Sequence, residues 1–156
     1  MNKILTFVVN KHTSKLLLLL CSPHDPQFGK SFWYTVTGGV EDGDKTLEET
    51  VKREVKEETN LDVTECIYLN WIFKYNSLGV DCTEYSYMSF VQDDVLVLNE
   101  ENIEYKWADI DEFVRCINWD GDKEELKKVL KSSLRKEVYF KKEQEIDFNT
   151  SNTNAK

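Results

Sequence analysis

Five leucines in a row, Leu16 to Leu20, set the first constraint on how this chain folds. Strand side chains alternate between two faces, so a run without alternation must be covered on both. Even with Lys15 and Cys21 the run falls far short of the ~20 apolar residues that a membrane-spanning helix needs. It therefore reads as a central strand of a sheet with a layer on each side. Ile4 to Val9 reads as the strand before it, and Asn10 to Ser14 as the turn that joins them. Phe32 to Thr37 supplies a third strand, ending at Gly38-Gly39. Further strand-like runs follow at Val63 to Phe73, Tyr85 to Gln92 and Val95 to Leu98, with a turn at Asn76 to Gly79.

Two helices interrupt these strands. Thr46-Leu47-Glu48-Glu49 has the capping-box pattern and starts a helix that runs to about Asn60, a residue suited to a left-handed C-terminal position. Asp122 to Tyr139 places Leu126, Val129, Leu130 and Leu134 on one helical face. Strands mixed with helices predict an α/β layered domain. The length of 156 residues fits a single core. We expect one domain over residues 1–140 and a polar, disordered tail over 141–156.

The net charge of −9 argues against a nucleic-acid groove or an anionic membrane as partner. A polyanionic substrate stays compatible if a bound metal inverts the local field. The cysteines at 21, 66, 82 and 116 have no Cys-x-x-Cys spacing, which suits a reducing compartment. His12 and His24, the only histidines, read as loop residues. The leucine run starts too late and lacks a small-residue cleavage site for a signal peptide, so a cytoplasmic protein is expected.

The chemistry concentrates where Gly38-Gly39-Val40-Glu41-Asp42-Gly43 leads into Arg53-Glu54-Val55-Lys56-Glu57-Glu58. Between Glu41 and Asp62 nine acids face four bases. A surface helix laced with ion pairs is the ordinary explanation, and the helical wheel argues against it. At about 100° per residue, with Glu54 at zero, Glu58 falls near about +40°. That direction lies between Leu47 and Val51, inside the apolar stripe. Lys45, Glu49, Lys52, Arg53 and Lys56 take the opposite, solvent side. Carboxylates on the buried side are costly unless something neutralises them. An external hard cation, Mg²⁺ or Mn²⁺, resolves the conflict. The glycines let the backbone turn tightly, and a carbonyl of Gly38 or Gly39 is placed to complete a coordination sphere.

These residues resemble the Nudix box, G-x5-E-x7-R-E-U-x-E-E-x-G-U with U aliphatic. Arg53 to Glu58 and Leu61 match its second half. Aligned without gaps from Gly39, the first glutamate of the box falls on Lys45 and its late glycine on Asn60. Aligned from Gly38, Asp44 takes the glutamate place, with one extra residue before Arg53. The resemblance implies an α/β/α sandwich around a mixed β-sheet. It implies Mg²⁺-dependent hydrolysis, with Mn²⁺ as a substitute, of a nucleoside diphosphate linked to another group. By that match Glu54 and Glu58 are metal ligands, Glu57 is a further ligand or base, and Arg53 orients a glutamate of the box.

Several other stretches are similar to the dihydroneopterin triphosphate pyrophosphatase branch. They are Ser31 to Gly38, Tyr75 to Val80, Thr83-Glu84 and Glu101 to Trp107. The match makes Glu101 an extra carboxylate, as metal ligand or general base. Trp33, Tyr34, Tyr75 and Trp107 are candidates to stack on a flat heterocycle. The implied reaction converts a nucleoside or pterin triphosphate to the monophosphate and pyrophosphate. The alternatives are a dinucleoside polyphosphate or capped-RNA hydrolase, and a non-catalytic nucleotide-binding module. The implied partner is a small phosphorylated molecule, not a nucleic acid or a membrane, with the chain as monomer or homodimer.

Overall fold

The structure is a computed structural model and describes residues 1–23 and 30–137. In chain order the elements are β1 (Asn2–Asn10), β2 (Leu16–Cys21), β3 (Trp33–Tyr34), β4 (Val36–Gly39), α1 (Leu47–Thr59), β5 (Glu65–Ser77), β6 (Val80–Val91), β7 (Asn102–Ala108), α2 (Ile110–Cys116) and α3 (Lys123–Leu134). All seven strands form one mixed sheet. β1 runs parallel to β6 and antiparallel to β2 and β4; β5 closes one side against β6, and β3 and β7 flank β2.

The leucine run is covered on both faces. Leu16 and Leu18 pack with Leu5, Phe7, Trp71, Met88 and the apolar sides of α2 and α3. Leu17 and Leu19 pack on the other face with Ile4, Val8, Tyr85 and with Leu47, Val51 and Val55 of α1. Two cores on opposite faces of one mixed sheet give the α/β/α layering. β4 pairs with the first half of β1, from Lys3 to Thr6, while β2 meets β1 at Val9 and Leu16. The sheet therefore splits beside the middle of β1, and the candidate site opens at that split.

α1 keeps the ends that its capping residues dictate. The Thr46 hydroxyl accepts from the Glu49 amide at 3.1 Å, and Asn60 closes the helix at φ 64°. Elsewhere the structure differs from the expectations. The third strand is two short ones, β3 and β4, broken at Thr35, whose hydroxyl donates to the Thr6 carbonyl. Val95 to Leu98 is not a strand. Val95 and Val97 are 73% and 65% exposed, and single tethers replace a ladder: the Val97 amide donates to Thr59 O and the Leu96 amide to the Tyr105 hydroxyl. Valine favours a pleated surface only where a neighbouring strand provides one.

Two elements went unread in the sequence. β7 pairs with β2 from Leu16 to Cys21, and α2 starts at Asp109, whose carboxylate accepts from the Glu112 amide at 2.8 Å. α3 buries Leu126, Val129 and Leu130 but ends at Leu134, five residues before the expected Tyr139, because the chain turns to positive φ at Lys136. Tyr139, the tail over 141–156 and His24 lie outside the described residues. No described helix is long and apolar enough to cross a membrane.

Candidate functional site

The inward face of α1 carries its acids where the wheel argument puts them. Glu58 is 5% exposed and Glu54 9%, while Glu57 lies on the exposed side. Room for Glu54 comes from β4: a Cβ at Gly38 would overlap the Glu54 carboxyl. The glycine thus acts by lacking a side chain. The Gly39 carbonyl instead accepts from Arg53 at 2.9 Å.

Arg53 does not occupy the solvent side of the helix. Its long stem swings the guanidinium back beneath the glycine turn, where it holds Asp44 through two nitrogens at 3.1 and 2.8 Å. It also donates to Glu54 at 3.0 Å and to Glu57 at 3.3 Å, and approaches Glu41 at 3.2 Å. The Arg53 fork holds the Asp44 carboxyl well below the usual carboxylate range, helped by the Glu41 amide and the Thr50 hydroxyl. Asp44, and not Lys45, is thus the residue of the glycine turn that Arg53 holds.

Glu54 and Glu58 form a tight acid pair. Burial is the main cause that raises Glu58 well above the ordinary value, and the negative charges of Glu101 and Glu54 add to it. Glu54 is raised by burial too, with Arg53 pulling the other way. The pair holds a proton that isolated carboxyls would release. Glu58 Oε1 accepts weakly from the Asn102 amide at 3.5 Å, and Oε2 is buried with no hydrogen-bond partner. Glu101 comes from the turn before β7, where the Asn99 side chain holds its amide at 3.1 Å and Ser22 donates to its carbonyl at 2.8 Å.

These residues fit a hard divalent cation. A buried, unpartnered carboxylate oxygen beside a second buried acid is what a proton or a metal neutralises. Glu54 and Glu58 are the residues that would hold it, with Glu101 opposite. Among the described residues no three acids already converge as a closed metal shell, since Glu57 is turned toward Arg53. Gly38→Ala tests the fit: we expect metal affinity to fall about 10- to 100-fold as Glu54 is displaced. The melting temperature should stay near that of the parent. Calorimetric titration with Mg²⁺ and thermal melts check both.

A cavity of about 650 Å³ runs from Glu58 and Glu101 to an aromatic end formed by Phe32, Tyr34, Phe73, Tyr75 and Trp119. Of the four aromatics singled out in the sequence, Tyr34 and Tyr75 line it. Trp33 and Trp107 do not. Lys106 covers the Trp33 ring at 4.8 Å, and the Trp107 indole donates to Asp94 O at 2.8 Å, tying down the segment after β6. Phe73, Trp119 and Glu84 were missed as cavity residues. Strand period gives the available signal for two of them: β5 and β6 pair Phe73 with Glu84, so both face the same side.

Comparison with known proteins agrees with this fold. The family pattern described as "NUDIX domain" matches residues 2–130. The chain is 26% identical over 141 residues to a dihydroneopterin triphosphate diphosphatase of Haemophilus influenzae, covering 81% of this chain and 85% of that one. A solved structure of the E. coli dihydroneopterin triphosphate pyrophosphohydrolase superposes with TM-score 0.66 at 24% identity, over 84% of this chain and 95% of that one. A Nudix hydrolase structure from Listeria monocytogenes gives TM-score 0.69 at 22% identity, over 90% and 99%. At such identities the superpositions speak for the fold. With the family pattern spanning most of the chain, this protein belongs to the Nudix hydrolases, enzymes that act on phosphoanhydride bonds.

Proposed function

We propose that the protein is a Mg²⁺-dependent pyrophosphohydrolase that cleaves a nucleoside or pterin triphosphate to the monophosphate and pyrophosphate. The observation that carries this reading is that one cavity is lined both by Glu58, the buried member of the acid pair, with Glu101, and by a set of rings. One end suits a phosphate chain and the other a flat heterocycle. The curated relative named for dihydroneopterin triphosphate supports the pterin member of this class.

Bound at Glu54 and Glu58, Mg²⁺ supplies charge neutralisation for the phosphate chain and polarises the bond that breaks. Arg53 keeps Glu54 aimed inward and anchors the glycine turn through Asp44 and the Gly39 carbonyl. Glu101 lines the cavity and Glu57 does not, so Glu101 is the better placed base to take the proton of the attacking water. As the water oxygen bonds to phosphorus, a P–O–P link opens and pyrophosphate leaves. The free cysteines, two of them buried, suit a reducing interior such as the cytoplasm.

The test is a panel of phosphorylated metabolites with Mg²⁺, scored separately for phosphate and pyrophosphate. We expect pyrophosphate from at least one triphosphate and slower turnover of diadenosine tetraphosphate. Release of orthophosphate alone, or no turnover across the panel, overturns the reading.

A further inference from the structure

The aromatic end of the cavity contains an acid that the hydrolytic chemistry does not use. Glu84 sits in the middle of the sheet, paired with Lys3 of β1 and with Phe73 of β5. It is 6% exposed. Its Oε2 accepts from the Tyr75 hydroxyl at 3.0 Å, and this is its one side-chain hydrogen bond among the described residues. An ionised carboxylate can accept about four. Lys3 exerts only a longer-range attraction, with its ammonium 6.0 Å from the Tyr75 ring centre.

A carboxylate in such a place is costly, and Met88 and Phe90 show what the same face of β6 carries elsewhere. The cavity wall that Glu84 shares carries rings together with Lys3, Lys74, Asn118 and a second acid, Asp120. Trp119 stacks on Tyr34 with centroids 6.4 Å apart and meets Phe73 edge-on at 5.6 Å. Tyr34, Phe73, Tyr75 and Trp119 line the same cavity as this under-used acceptor, a setting that suits a heterocycle bringing its own N–H donors.

The acceptor also selects the edge. Two carboxylate oxygens receive two parallel N–H bonds when an amino group neighbours a ring N–H. That is the amino–lactam edge of guanine, 2-amino-6-oxo, and of pterins, 2-amino-4-oxo. Adenine and cytosine put a lone pair beside the amino group, where it faces the carboxylate. Uracil has a single N–H between carbonyls. We propose that Glu84 is a specificity-determining residue that binds the amino–lactam edge of the substrate ring, with Tyr75 fixing the carboxylate. The inference rests on the proposed function in that it places the triphosphate along this cavity.

The test compares guanosine triphosphate with inosine triphosphate, which differ only in the exocyclic amino group. We expect kcat/KM to favour guanosine about 10- to 100-fold, the worth of the one hydrogen bond to a charged acceptor that inosine lacks. In Glu84→Gln that ratio should fall toward one, mostly through KM, with a melt close to the parent. Equal turnover of the two by the parent protein overturns the inference while leaving pyrophosphate release intact. So does an unchanged ratio in the variant. Calorimetric binding of guanosine and inosine monophosphates reads the same contact without turnover: tighter guanosine binding supports the inference even if hydrolysis fails, and equal binding overturns it.

Discussion

Glu58→Gln should lower Mg²⁺-dependent kcat by about 10²- to 10³-fold, the scale of removing one group aimed at the charge that develops in a buried site. The substitution keeps the shape of the side chain and removes its charge. Protein stability should not fall with activity, because the metal-free protein carries a repelling, desolvated acid pair at this point. The pH dependence has a definite sign. The folded pair has a raised pKa, so the folded state holds more protons than the unfolded one just above the ordinary carboxylate value. The pair's own contribution to the stability of the metal-free protein is therefore greatest below that value and is lost as pH climbs through the raised one, whereas the lowered Asp44 acts in the opposite sense at acid pH. Mg²⁺ must displace the shared proton, so its affinity rises over the same window. Calorimetric Mg²⁺ titrations at several pH values should show proton release in the parent protein and less in Glu58→Gln. A variant with full turnover removes Glu58 from the metal site.

Arg53→Ala should damage fold and activity together. The guanidinium serves Asp44, Glu54, Glu57 and the Gly39 carbonyl. Its loss leaves Asp44 inside the turn without its main partner. Arg53 and Asp44 are both only partly covered, so losing the fork costs less than breaking a fully buried pair, about 1–3 kcal/mol for the charged hydrogen bonds removed. Arg53→Lys should recover little, since an ammonium cannot reproduce the fork that spans both oxygens of Asp44. Denaturant melts and Mg²⁺-dependent turnover report the two losses. Arg53→Ala with wild-type stability contradicts the anchoring role given to Asp44.

Some of this molecule is legible in its sequence because local chemistry and global fold agree. Thr46 and Asn60 mark the ends of α1, and the leucine run can only be covered twice. The wheel places Glu54 and Glu58 inward because helix geometry is rigid. It misplaces Arg53 because it follows the Cβ, and a long side chain can carry its charge to another face. β7 is hidden by its mixed pattern: adjacent Ile103 and Glu104 are both exposed, and the partner strand, β2, is remote in sequence. Val95 to Leu98 errs the other way, having strand residues and no neighbour to pair with. Trp33 and Trp107 show that an aromatic ring near a site can serve packing alone. Glu84 stood in a stretch matched to the pterin branch, yet its position among rings depends on strand pairings that local pattern does not encode.

The division of the sheet beside β1 has an evolutionary corollary. In the proposed function the metal-holding acids Glu54 and Glu58 ride on the helix that follows β4, whereas Phe73, Tyr75 and Glu84 belong to a separate hairpin of β5 and β6. On that proposal, drift in the hairpin alters the ring end of the cavity while Glu54, Glu58 and Arg53 stay in place. Descendants of one ancestral catalyst can thereby diverge in diet while sharing a single way of breaking bonds.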